Sequence, residues 1–305
     1  MKKEKAILLG PFVGELGWEV LRFSPLIPYY YKKYHKQNVK FIILTRDDRF
    51  DLYGQYADIL VPLRIKGDGI KFKADCFRMI GFPVDDYKML AKRFNKQYRN
   101  RFEIISHFYP TIDQKKYAQK YQFPRQHLKY KWKPRIENKT AIDHHVHNDK
   151  NCVVLAPRFR NGLRRNWPYW NDLYNMIYKD DHLTKKYNFI ICGKKPDYVP
   201  DKKNRFCDIN NISLTDDMSL IGLTIESINK SILTVGSQSG IPNMSMMMGV
   251  ESLMWGHQRK LHSEVYNTKK TNVHFLDDMK YKLEPLRVFE KMKRILYNIE
   301  NKEVK

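Results

Sequence analysis

Short continuous apolar runs alternate along the chain with stretches in which apolar residues recur at helical spacing. Such runs, when bounded by glycine or proline, are typical of buried strands, and the helical spacing is typical of the helices that cover them. The first half contains the predicted strands Ala6–Leu9, Val39–Leu44 and Ile59–Val61, and the predicted helices Leu16–Tyr34, divided at Pro25 and Pro28, and Arg49–Tyr56. Because strands and helices alternate, we expect a parallel, doubly wound sheet.

The same alternation returns in the second half, where it starts at Cys152. The predicted strands are Val153–Pro157 and Asn188–Gly193, and the predicted helices are Trp167–Tyr178 and Leu220–Lys230. The last segment, 285–305, is predicted to form an amphipathic closing helix. Its apolar residues at helical spacing are Leu286, Phe289, Met292, Leu296 and Ile299.

The stretch Ser231–Gly256 carries the clearest functional signal. An apolar run ends at Gly236, a polar loop follows at 237–240, Pro242 opens a helical segment, and a second apolar run occupies 250–255. A helix start presents free N–H groups and the positive end of the helix dipole, which suits a phosphate group. The pattern therefore predicts a phosphorylated ligand, in particular a nucleotide.

Two domains are expected, because residues 111–150 separate the two series and have little periodicity. We predict an α/β fold of two Rossmann-like, doubly wound domains that face a cleft. The N-terminal domain is predicted at 1–145, with an irregular basic insertion at 62–145. The C-terminal domain is predicted at 150–284, followed by the closing helix 285–305.

The protein is strongly basic, with a formal net charge of +23. Residues 1–150 carry a net charge of +15 and residues 151–305 a net charge of +8, so most of the excess lies in the first half. This balance favours a polyanionic partner, either nucleic acid or an anionic membrane surface. A solvated lysine-rich surface without a partner is the alternative.

No apolar run approaches the roughly 20 residues that a membrane-spanning helix needs, and the first residues do not resemble a signal peptide. A cytoplasmic protein is expected, in the host cytoplasm if the source is viral, with peripheral attachment to a membrane left open. Its four cysteines have no CxxC spacing and are predicted to be buried free thiols. They are Cys76, Cys152, Cys192 and Cys207.

Four arginines lie within the eight residues that follow the strand Val153–Pro157, namely Arg158, Arg160, Arg164 and Arg165. Arginine side chains can form paired hydrogen bonds to phosphate oxygens. Open α/β sheets bind ligands at the carboxyl ends of their strands, where both this loop and the Ser237–Asn243 loop are expected. A phosphate site is favoured over a merely solvated loop.

These motifs resemble the donor domain of GT-B glycosyltransferases, in particular the heptosyltransferase-like group of family 9. The matching segments are Leu155–Arg158, Arg165–Pro168, Ile190–Gly193, Gly236–Asn243 and Trp255–Gly256. Gln238 stands where that group often has Asp, and Asn243 where it often has His. The resemblance implies that donor phosphates contact Arg158, Arg160, Arg164, Arg165, Ser237, Gln238, Ser239, Gly240 and Asn243, and that Trp255 and His257 line a sugar or ribose site.

The loop after the first strand resembles the same group more loosely. There, a Gly-Asp pair supplies the carboxylate proposed as catalytic base, and Gly14-Glu15 is the matching pair here. The resemblance thus implies that Glu15 takes a proton from the acceptor hydroxyl, with Glu19 one turn further on as an orienting or acceptor-binding group. Capping of the helix start is the alternative role for Glu15. Three glycines, Gly10, Gly14 and Gly17, are expected to allow a tight turn.

The implied activity is transfer of a sugar from a UDP-, GDP- or ADP-linked donor to a hydroxyl of a polyanionic acceptor. By the same resemblance the reaction is expected to be inverting. The sequence contains no DxD motif of the kind with which GT-A enzymes hold a metal ion, so neither a catalytic metal ion nor a tightly bound cofactor is expected. Two acceptors are considered. One is DNA with hydroxymethylated pyrimidines, as in some phages, and the other is an anionic glycolipid or polysaccharide of the cell envelope. A non-catalytic nucleic-acid-binding protein on a GT-B scaffold is the alternative from another class. The His- and Asp-rich segment 143–149 is predicted to be a solvated hinge rather than a metal site.

Overall fold

Each half of the chain folds around its own parallel β-sheet. The computed structural model divides the chain into an N-terminal unit, Met1–Ile136, and a C-terminal unit, Glu137–Lys305. The residues that the structure describes are 3–12, 14–63, 84–113, 120–122, 130–134, 141–146, 151–158, 166–193, 206–212 and 219–303.

Four parallel strands form the sheet of the N-terminal unit, in the order β3-β2-β1-β4. These strands are β1 (Glu4–Leu9), β2 (Val39–Thr45), β3 (Ile59–Pro62) and β4 (Phe102–Phe108). Leu9 at the end of β1 lies opposite Ile43 of β2 and Phe108 of β4. The carboxyl ends of these strands therefore lie along one edge of the sheet. A short antiparallel pair, β5 (Thr111–Asp113) and β6 (Lys120–Gln122), follows β4 in the chain.

The helical stretch after β1 is divided at Pro25, as predicted, whereas Pro28 lies in the first turn of the following helix and does not divide it. A single turn, α1 (Leu16–Trp18), passes into a π-helical turn at Glu19–Phe23, and α2 (Leu26–Tyr34) begins after Pro25. Two 3₁₀ segments, His35–Gln37 and Asp47–Leu52, flank β2.

A long helix, α3 (Val84–Arg99), packs on the N-terminal sheet through Leu90, Phe94 and Tyr98. This helix and β4 lie inside the segment 62–145 that was predicted to be an irregular insertion, so that prediction is wrong for residues 84–108. Leu90, Phe94 and Tyr98 recur at helical spacing, but the basic residues between them led to the prediction of a basic insertion. The rest of that segment lies largely outside the described residues.

Six parallel strands form the sheet of the C-terminal unit, in the order β12-β11-β10-β7-β8-β9. They are β7 (Asn151–Ala156), β8 (Tyr187–Ile191), β9 (Phe206–Asp208), β10 (Ser231–Ser237), β11 (Glu251–Gly256) and β12 (Val273–Asp277). Numbered within this unit, the order is 6-5-4-1-2-3, which is the Rossmann order. The strand order reverses between β7 and β10, and this reversal is the switch point at which such sheets bind ligands.

Helices cover both faces of this second sheet, as expected for a doubly wound fold. They are α4 (Trp170–Lys179), α5 (Asp181–Lys186), α6 (Leu220–Asn229), α7 (Gly240–Met248) and α8 (Pro285–Glu303). The closing helix α8 buries Val288, Phe289, Met292, Ile295 and Leu296, whereas the predicted core residue Leu286 is 55% exposed. The core also contains three indole rings in mutual contact, those of Trp167, Trp170 and Trp255.

The predicted α/β class and the alternation of strands and helices are confirmed in both units. The boundary lies earlier than the predicted 145–150, because residues 141–146 contact the C-terminal unit. The Ile142 N–H donates to Glu226 Oε1 at 3.4 Å, and Lys230 pairs with Asp143. Part of the predicted hinge is therefore fastened to α6. That the two domains face a common cleft stays a prediction.

Among the described residues, no helix has the length and apolar character needed to cross a bilayer. Cys152 and Cys192 are buried free thiols, as predicted, and Cys207 is a half-buried free thiol. Cys76 lies outside the described residues.

Gly10 is expected to tolerate no side chain. Its φ is +101°, and a Cβ atom would lie 2.3 Å from the Leu44 carbonyl oxygen, so Gly10→Ala combines backbone strain with overlap against β2. Gly249→Ala is the matched control, because φ there is +91° but the nearest atom is 3.9 Å away. The control should lose about 1–2 kcal/mol of unfolding free energy, and Gly10→Ala about 1–3 kcal/mol more. Urea unfolding followed by circular dichroism measures both; equal losses would contradict the overlap.

Candidate functional site

The switch point of the C-terminal sheet brings two predicted ligand loops together. Gly236 of β10 lies opposite Ala156 of β7 in the register, so the segments that leave the two strands begin at the same level. Pro157 and Arg158 continue from β7, and Gln238 and Ser239 continue from β10. Arg158 is half-buried there. The other predicted phosphate ligands of the first loop, Arg160, Arg164 and Arg165, lie outside the described residues.

The N-terminus of α7 begins directly behind the second loop. Ser239 is its N-cap residue, in extended conformation, and the Ser239 side chain makes no capping hydrogen bond. The first N–H groups of a helix have no partner within the helix, and Pro242 has no N–H group at all. The Gly240 and Ile241 N–H groups are thus the donors of this first turn. Ser237 supplies a hydroxyl that is fully buried and has no hydrogen-bond partner among the described residues.

Two predicted phosphate ligands, Gln238 and Asn243, are instead bonded inside the C-terminal unit. Gln238 is 6% exposed; its Nε2 donates to Gln258 Oε1 at 3.0 Å, and its Oε1 accepts from the His257 N–H at 3.2 Å. Asn243 is 3% exposed, and its Oδ1 accepts from His262 Nδ1 at 2.7 Å. Both side chains hold the loop in shape. The Gln238 amide has a partner for both of its polar atoms, so its predicted contact with donor phosphates is not supported by this geometry. The Asn243 carbonyl oxygen is likewise engaged, and a phosphate contact of its amide nitrogen stays a prediction.

The predicted sugar or ribose contacts, Trp255 and His257, differ in accessibility. Trp255 is fully buried between Trp167 and Trp170, so its ring packs the core and cannot line an open site. His257 is half-buried beside the loop, and its Nδ1 lies 3.1 Å from the Tyr281 hydroxyl. Of the two, His257 alone remains a candidate for contact with a ligand.

The loop that carries Glu15 leaves β1 at the switch point of the N-terminal sheet, between β2 and β4. The Gly10 N–H donates to the Phe108 carbonyl at 2.8 Å, and the Gly10 carbonyl accepts from His107 Nε2 at 2.7 Å. Gly14 is buried, and Glu15 is half-buried as the N-cap of α1. Its side chain makes no capping hydrogen bond, so a favourable interaction with the helix dipole is what remains of the alternative role.

His107 is a site residue that the sequence did not indicate. Its ring donates through Nε2 to the Gly10 carbonyl, since a carbonyl oxygen can only accept, and Nδ1 then faces the Asn95 amide at 3.4 Å. Burial lowers the pKa of His107, which favours the neutral ring. No local sequence pattern connects His107 with the loop after β1, because its hydrogen-bond partner Gly10 lies 97 residues earlier in the chain.

Glu19, the second predicted catalytic residue, is only 1% exposed. Its Oε1 accepts from the Thr45 hydroxyl at 3.1 Å and from the Tyr53 hydroxyl, and its Oε2 lies 3.8 Å from Arg49 Nε. A group without access to solvent cannot contact an acceptor, so the prediction that Glu19 binds the acceptor is corrected. These four residues, Glu19, Thr45, Arg49 and Tyr53, are called the Glu19 cluster below.

Burial raises the pKa of the Glu19 carboxyl to about 7. The Arg49 guanidinium and the Tyr53 and Thr45 hydroxyls act in the opposite direction, because each favours the carboxylate, whereas Asp48 raises the pKa slightly. Loss of hydration therefore outweighs three favourable partners. The same burial, together with the Glu19 charge, raises the pKa of Tyr53.

Among the described side chains, no three His, Cys, Asp or Glu residues come together as a metal site.

The whole fold resembles that of known glycosyltransferases. No protein-family model matches the chain, and no curated protein matches it in sequence. The ADP-heptose lipopolysaccharide heptosyltransferase II of E. coli is similar in structure, with 10% identity and a TM-score of 0.58 over 97% of this chain and 99% of that one. A glycosyl transferase of family 9 from Veillonella parvula is similar, with 12% identity and a TM-score of 0.55 over 96% and 90%. The E. coli heptosyltransferase WaaC, solved with ADP, gives 11% identity and a TM-score of 0.51 over 96% and 99%. The chain thus has the heptosyltransferase-like GT-B fold.

The Glu19 carboxyl is expected to make stability depend on pH. Its pKa is about 7 when folded and ordinarily 4.5, so the folded state binds this proton more tightly than the unfolded state. The resulting stabilisation is complete below pH 4.5 and is lost as the pH rises to 7. At about 1.4 kcal/mol per pKa unit it amounts to roughly 3 kcal/mol at most.

Glu19→Gln removes this titration. We expect the unfolding free energy of the wild type, relative to that of Glu19→Gln, to fall between pH 4.5 and 7 and to be constant above that range. Urea unfolding at closely spaced pH values measures the difference. A difference that does not change with pH would mean that Glu19 keeps an ordinary pKa.

Proposed function

We propose that the protein is a glycosyltransferase that moves a sugar from a nucleotide sugar to a hydroxyl group of a polyanionic acceptor. The observation that supports this most directly is the switch point of the C-terminal sheet. There the chain leaving β7 through Arg158 and the uncapped start of α7 lie at one edge of a sheet with Rossmann strand order. Rossmann sheets bind nucleotides at this point.

The donor diphosphate is proposed to lie against the first turn of α7. The Gly240 and Ile241 N–H groups point out of the helix start, and the helix dipole favours negative charge there. Arg158 is proposed to contact the same phosphates, together with the arginines at 160, 164 and 165. The WaaC structures contain ADP and an ADP-linked fluoroheptose, which favours a nucleoside diphosphate as the leaving group. ADP-, UDP- and GDP-linked donors are all candidates.

Glu15 is proposed to be the general base of a single displacement. The acceptor oxygen forms a bond to the anomeric carbon as its proton passes to the Glu15 carboxylate. The bond between the anomeric carbon and the phosphate oxygen breaks, and its electron pair leaves with the nucleoside diphosphate. Attack from the side opposite the leaving group inverts the configuration. The developing charge on the diphosphate is stabilised by Arg158 and the N–H groups of α7, so no metal ion is required in this scheme.

The exposed face of α3 supports a polyanionic acceptor. Between residues 88 and 101 the sequence contains six cations and no acidic residue. All six side chains are exposed, and no carboxylate among the described residues forms an ion pair with them. They are Lys88, Lys92, Arg93, Lys96, Arg99 and Arg101.

Duplex DNA is the acceptor that we favour for this surface. Leu90, Phe94 and Tyr98 of α3 pack against the sheet and are not free to insert into a lipid surface, whereas a row of cations suits a phosphate backbone. Transfer to a hydroxymethylated pyrimidine would require the base to leave the helical stack. An anionic glycolipid or polysaccharide of the cell envelope is the second candidate.

A protein that binds nucleic acid without catalysis is the competing function. Its support is that Gln238 and Asn243, two residues at donor positions of the resembling group, are used inside the C-terminal unit. Hydrolysis of any nucleotide sugar in a panel, lost in Glu15→Gln, would exclude this function.

Removing one N–H group at the start of α7 is expected to weaken nucleotide binding. Gly240→Pro deletes that donor, and the exchange is compatible with the first helical position and with the extended conformation of Ser239. Gly240→Ala retains the N–H group and is the matched control. A hydrogen bond to a charged group contributes about 1.5–3 kcal/mol, so the dissociation constant for ADP, UDP or GDP should rise by about tenfold or more in Gly240→Pro alone. Isothermal titration calorimetry measures the effect, and equal affinity in both variants would contradict the assigned phosphate position.

Neutralising α3 is expected to weaken binding of duplex DNA. In the triple variant Lys88→Gln, Lys92→Gln, Lys96→Gln, the slope of log affinity against log salt concentration should become shallower by roughly 0.9 for each phosphate that the helix no longer neutralises. A control with the same net charge replaces three exposed lysines of the C-terminal unit, Lys179, Lys185 and Lys282, by glutamine. Fluorescence anisotropy with a labelled duplex measures the slopes. Equal slopes in the two variants would argue against α3, and tighter binding to anionic vesicles than to DNA would favour the glycolipid acceptor.

A further inference from the structure

The Glu19 cluster lies directly behind the loop that carries Glu15. Its members come from three separate parts of the chain. Glu19 begins the π-helical turn, and Thr45 ends β2. Arg49 lies in the 3₁₀ segment after β2, and Tyr53 directly follows that segment. A carboxylate and a guanidinium that are both nearly inaccessible lose most of their hydration. Such a pair is retained at a cost in free energy, which suggests a role beyond stability.

The backbone of Glu19 connects this cluster to Glu15. The Glu19 N–H donates to the Glu15 carbonyl at 3.0 Å, and the Glu19 carbonyl accepts from the Ser24 N–H at 2.8 Å. The first bond closes the turn that begins at Glu15, and the second closes the π-helical turn. One residue thus holds both turns, while its side chain is bonded to β2 and to the 3₁₀ segment.

The opposite end of the loop is fixed against the same strand. Gly10 lies so close to the Leu44 carbonyl that no Cβ atom fits, and its own N–H and carbonyl are bonded to Phe108 and His107 of β4. The segment from Gly10 to Glu19 is therefore attached to the sheet at its two ends. Between those ends, the position of Glu15 depends on the carboxylate attachment at Glu19.

We propose that Glu19 is a positioning residue, whose buried carboxylate, held by Thr45, Tyr53 and Arg49, fixes the turn that presents Glu15 to the acceptor hydroxyl. This proposal rests on the proposed function of Glu15 as the general base. Glu19 itself contacts no substrate. Its effect reaches the reaction through the backbone bond between residues 15 and 19.

The charged and titratable groups around Glu19 determine how this attachment responds to pH. They are Arg49, Tyr53 and Asp48, and Asp48 is itself paired with Arg46 at 2.6 Å. Protonation of Glu19 removes one of the two carboxylate charges beside the Arg49 guanidinium, since the more exposed Asp48 lies 3.7 Å from Arg49 Nε. The attachment is therefore complete in the ionised form and weakened in the protonated form, and activity should fall as the pH drops through about 7.

The test uses two mild substitutions, since loss of the whole carboxylate could unfold the N-terminal unit. Tyr53→Phe and Thr45→Val each remove one hydroxyl that donates to Glu19 and leave the shape of the side chain nearly unchanged. Tyr98→Phe is the control, because Tyr98 is a buried tyrosine of the same unit that packs in the α3 core instead. Donor hydrolysis by the full-length protein, with the nucleotide sugar that the panel identifies, is the assay.

We expect kcat to fall about tenfold in Tyr53→Phe and Thr45→Val at neutral pH, because a small displacement of a catalytic group has a large effect on rate. The KM for the donor should change less than about twofold, since the donor is held elsewhere. The acid limb of the kcat profile should move to higher pH, because each hydroxyl that is removed had lowered the Glu19 pKa. Hydrogen exchange of the amides in residues 14–24 should accelerate in both variants, and Tyr98→Phe should match the wild type throughout.

The outcomes separate this proposal from the function on which it rests. If Glu15→Gln hydrolyses the donor at the wild-type rate, or if no donor is hydrolysed, the assignment of Glu15 as base fails, and the positioning role fails with it. If Glu15→Gln is inactive while Tyr53→Phe and Thr45→Val keep the wild-type kcat, pH profile and amide exchange, the positioning role alone is overturned. If kcat and thermal stability fall together in Tyr53→Phe and Thr45→Val while the pH profile stays unchanged, the positioning role is also overturned, and Glu19 has a structural role only.

Discussion

The attachment of one short loop to both neighbouring strands is the constraint on which the N-terminal site depends. Residues 10–19 leave the middle of a parallel sheet and must turn at once into a helix, with β2 on one side and β4 on the other. Gly10 is held by β4 through two hydrogen bonds and lies against the Leu44 carbonyl of β2. At the other end of the loop, the Glu19 carboxylate accepts a hydrogen bond from the Thr45 hydroxyl of β2. Glu15 therefore lies between two anchored residues, Gly10 and Glu19, which agrees with the role of base proposed for it.

The C-terminal unit meets a similar requirement with neutral groups. Gln238 joins the end of β10 to the residues that follow β11, and Asn243 joins α7 to His262. Buried amide and imidazole groups can form hydrogen bonds with each other, and burying them costs less free energy than burying a charged pair. With the Gln238 side chain and the Asn243 carbonyl oxygen engaged, the contacts proposed for a ligand in this unit are the backbone N–H groups at the start of α7 and Arg158. Such groups suit a diphosphate better than they suit any particular base.

Most of the fold could be predicted from the sequence, because buried parallel strands are continuous apolar runs. β1, β2, β7 and β10 were all found in this way. β4 was missed because Ser106 and His107 interrupt its apolar run. The site was less predictable. The roles predicted for Glu15 and the start of α7 come from short local patterns and a family resemblance, and they stay predictions. The burial of Glu19 depends on Thr45, Arg49 and Tyr53, which lie 26 to 34 residues further along the chain.

The π-helical turn at Glu19–Phe23 carries a consequence for any chain related to this one. Such a turn contains one residue more than an α-helical path between the same two ends. Deletion of a single residue there would let a regular helical turn join the same two ends. The bond from the Ser24 N–H to the carbonyl five residues earlier would be replaced by one to the carbonyl four residues earlier. A one-residue gap in this segment therefore separates chains with a π-helical turn behind the loop from chains with a regular helical turn there, whatever the identity of the other residues.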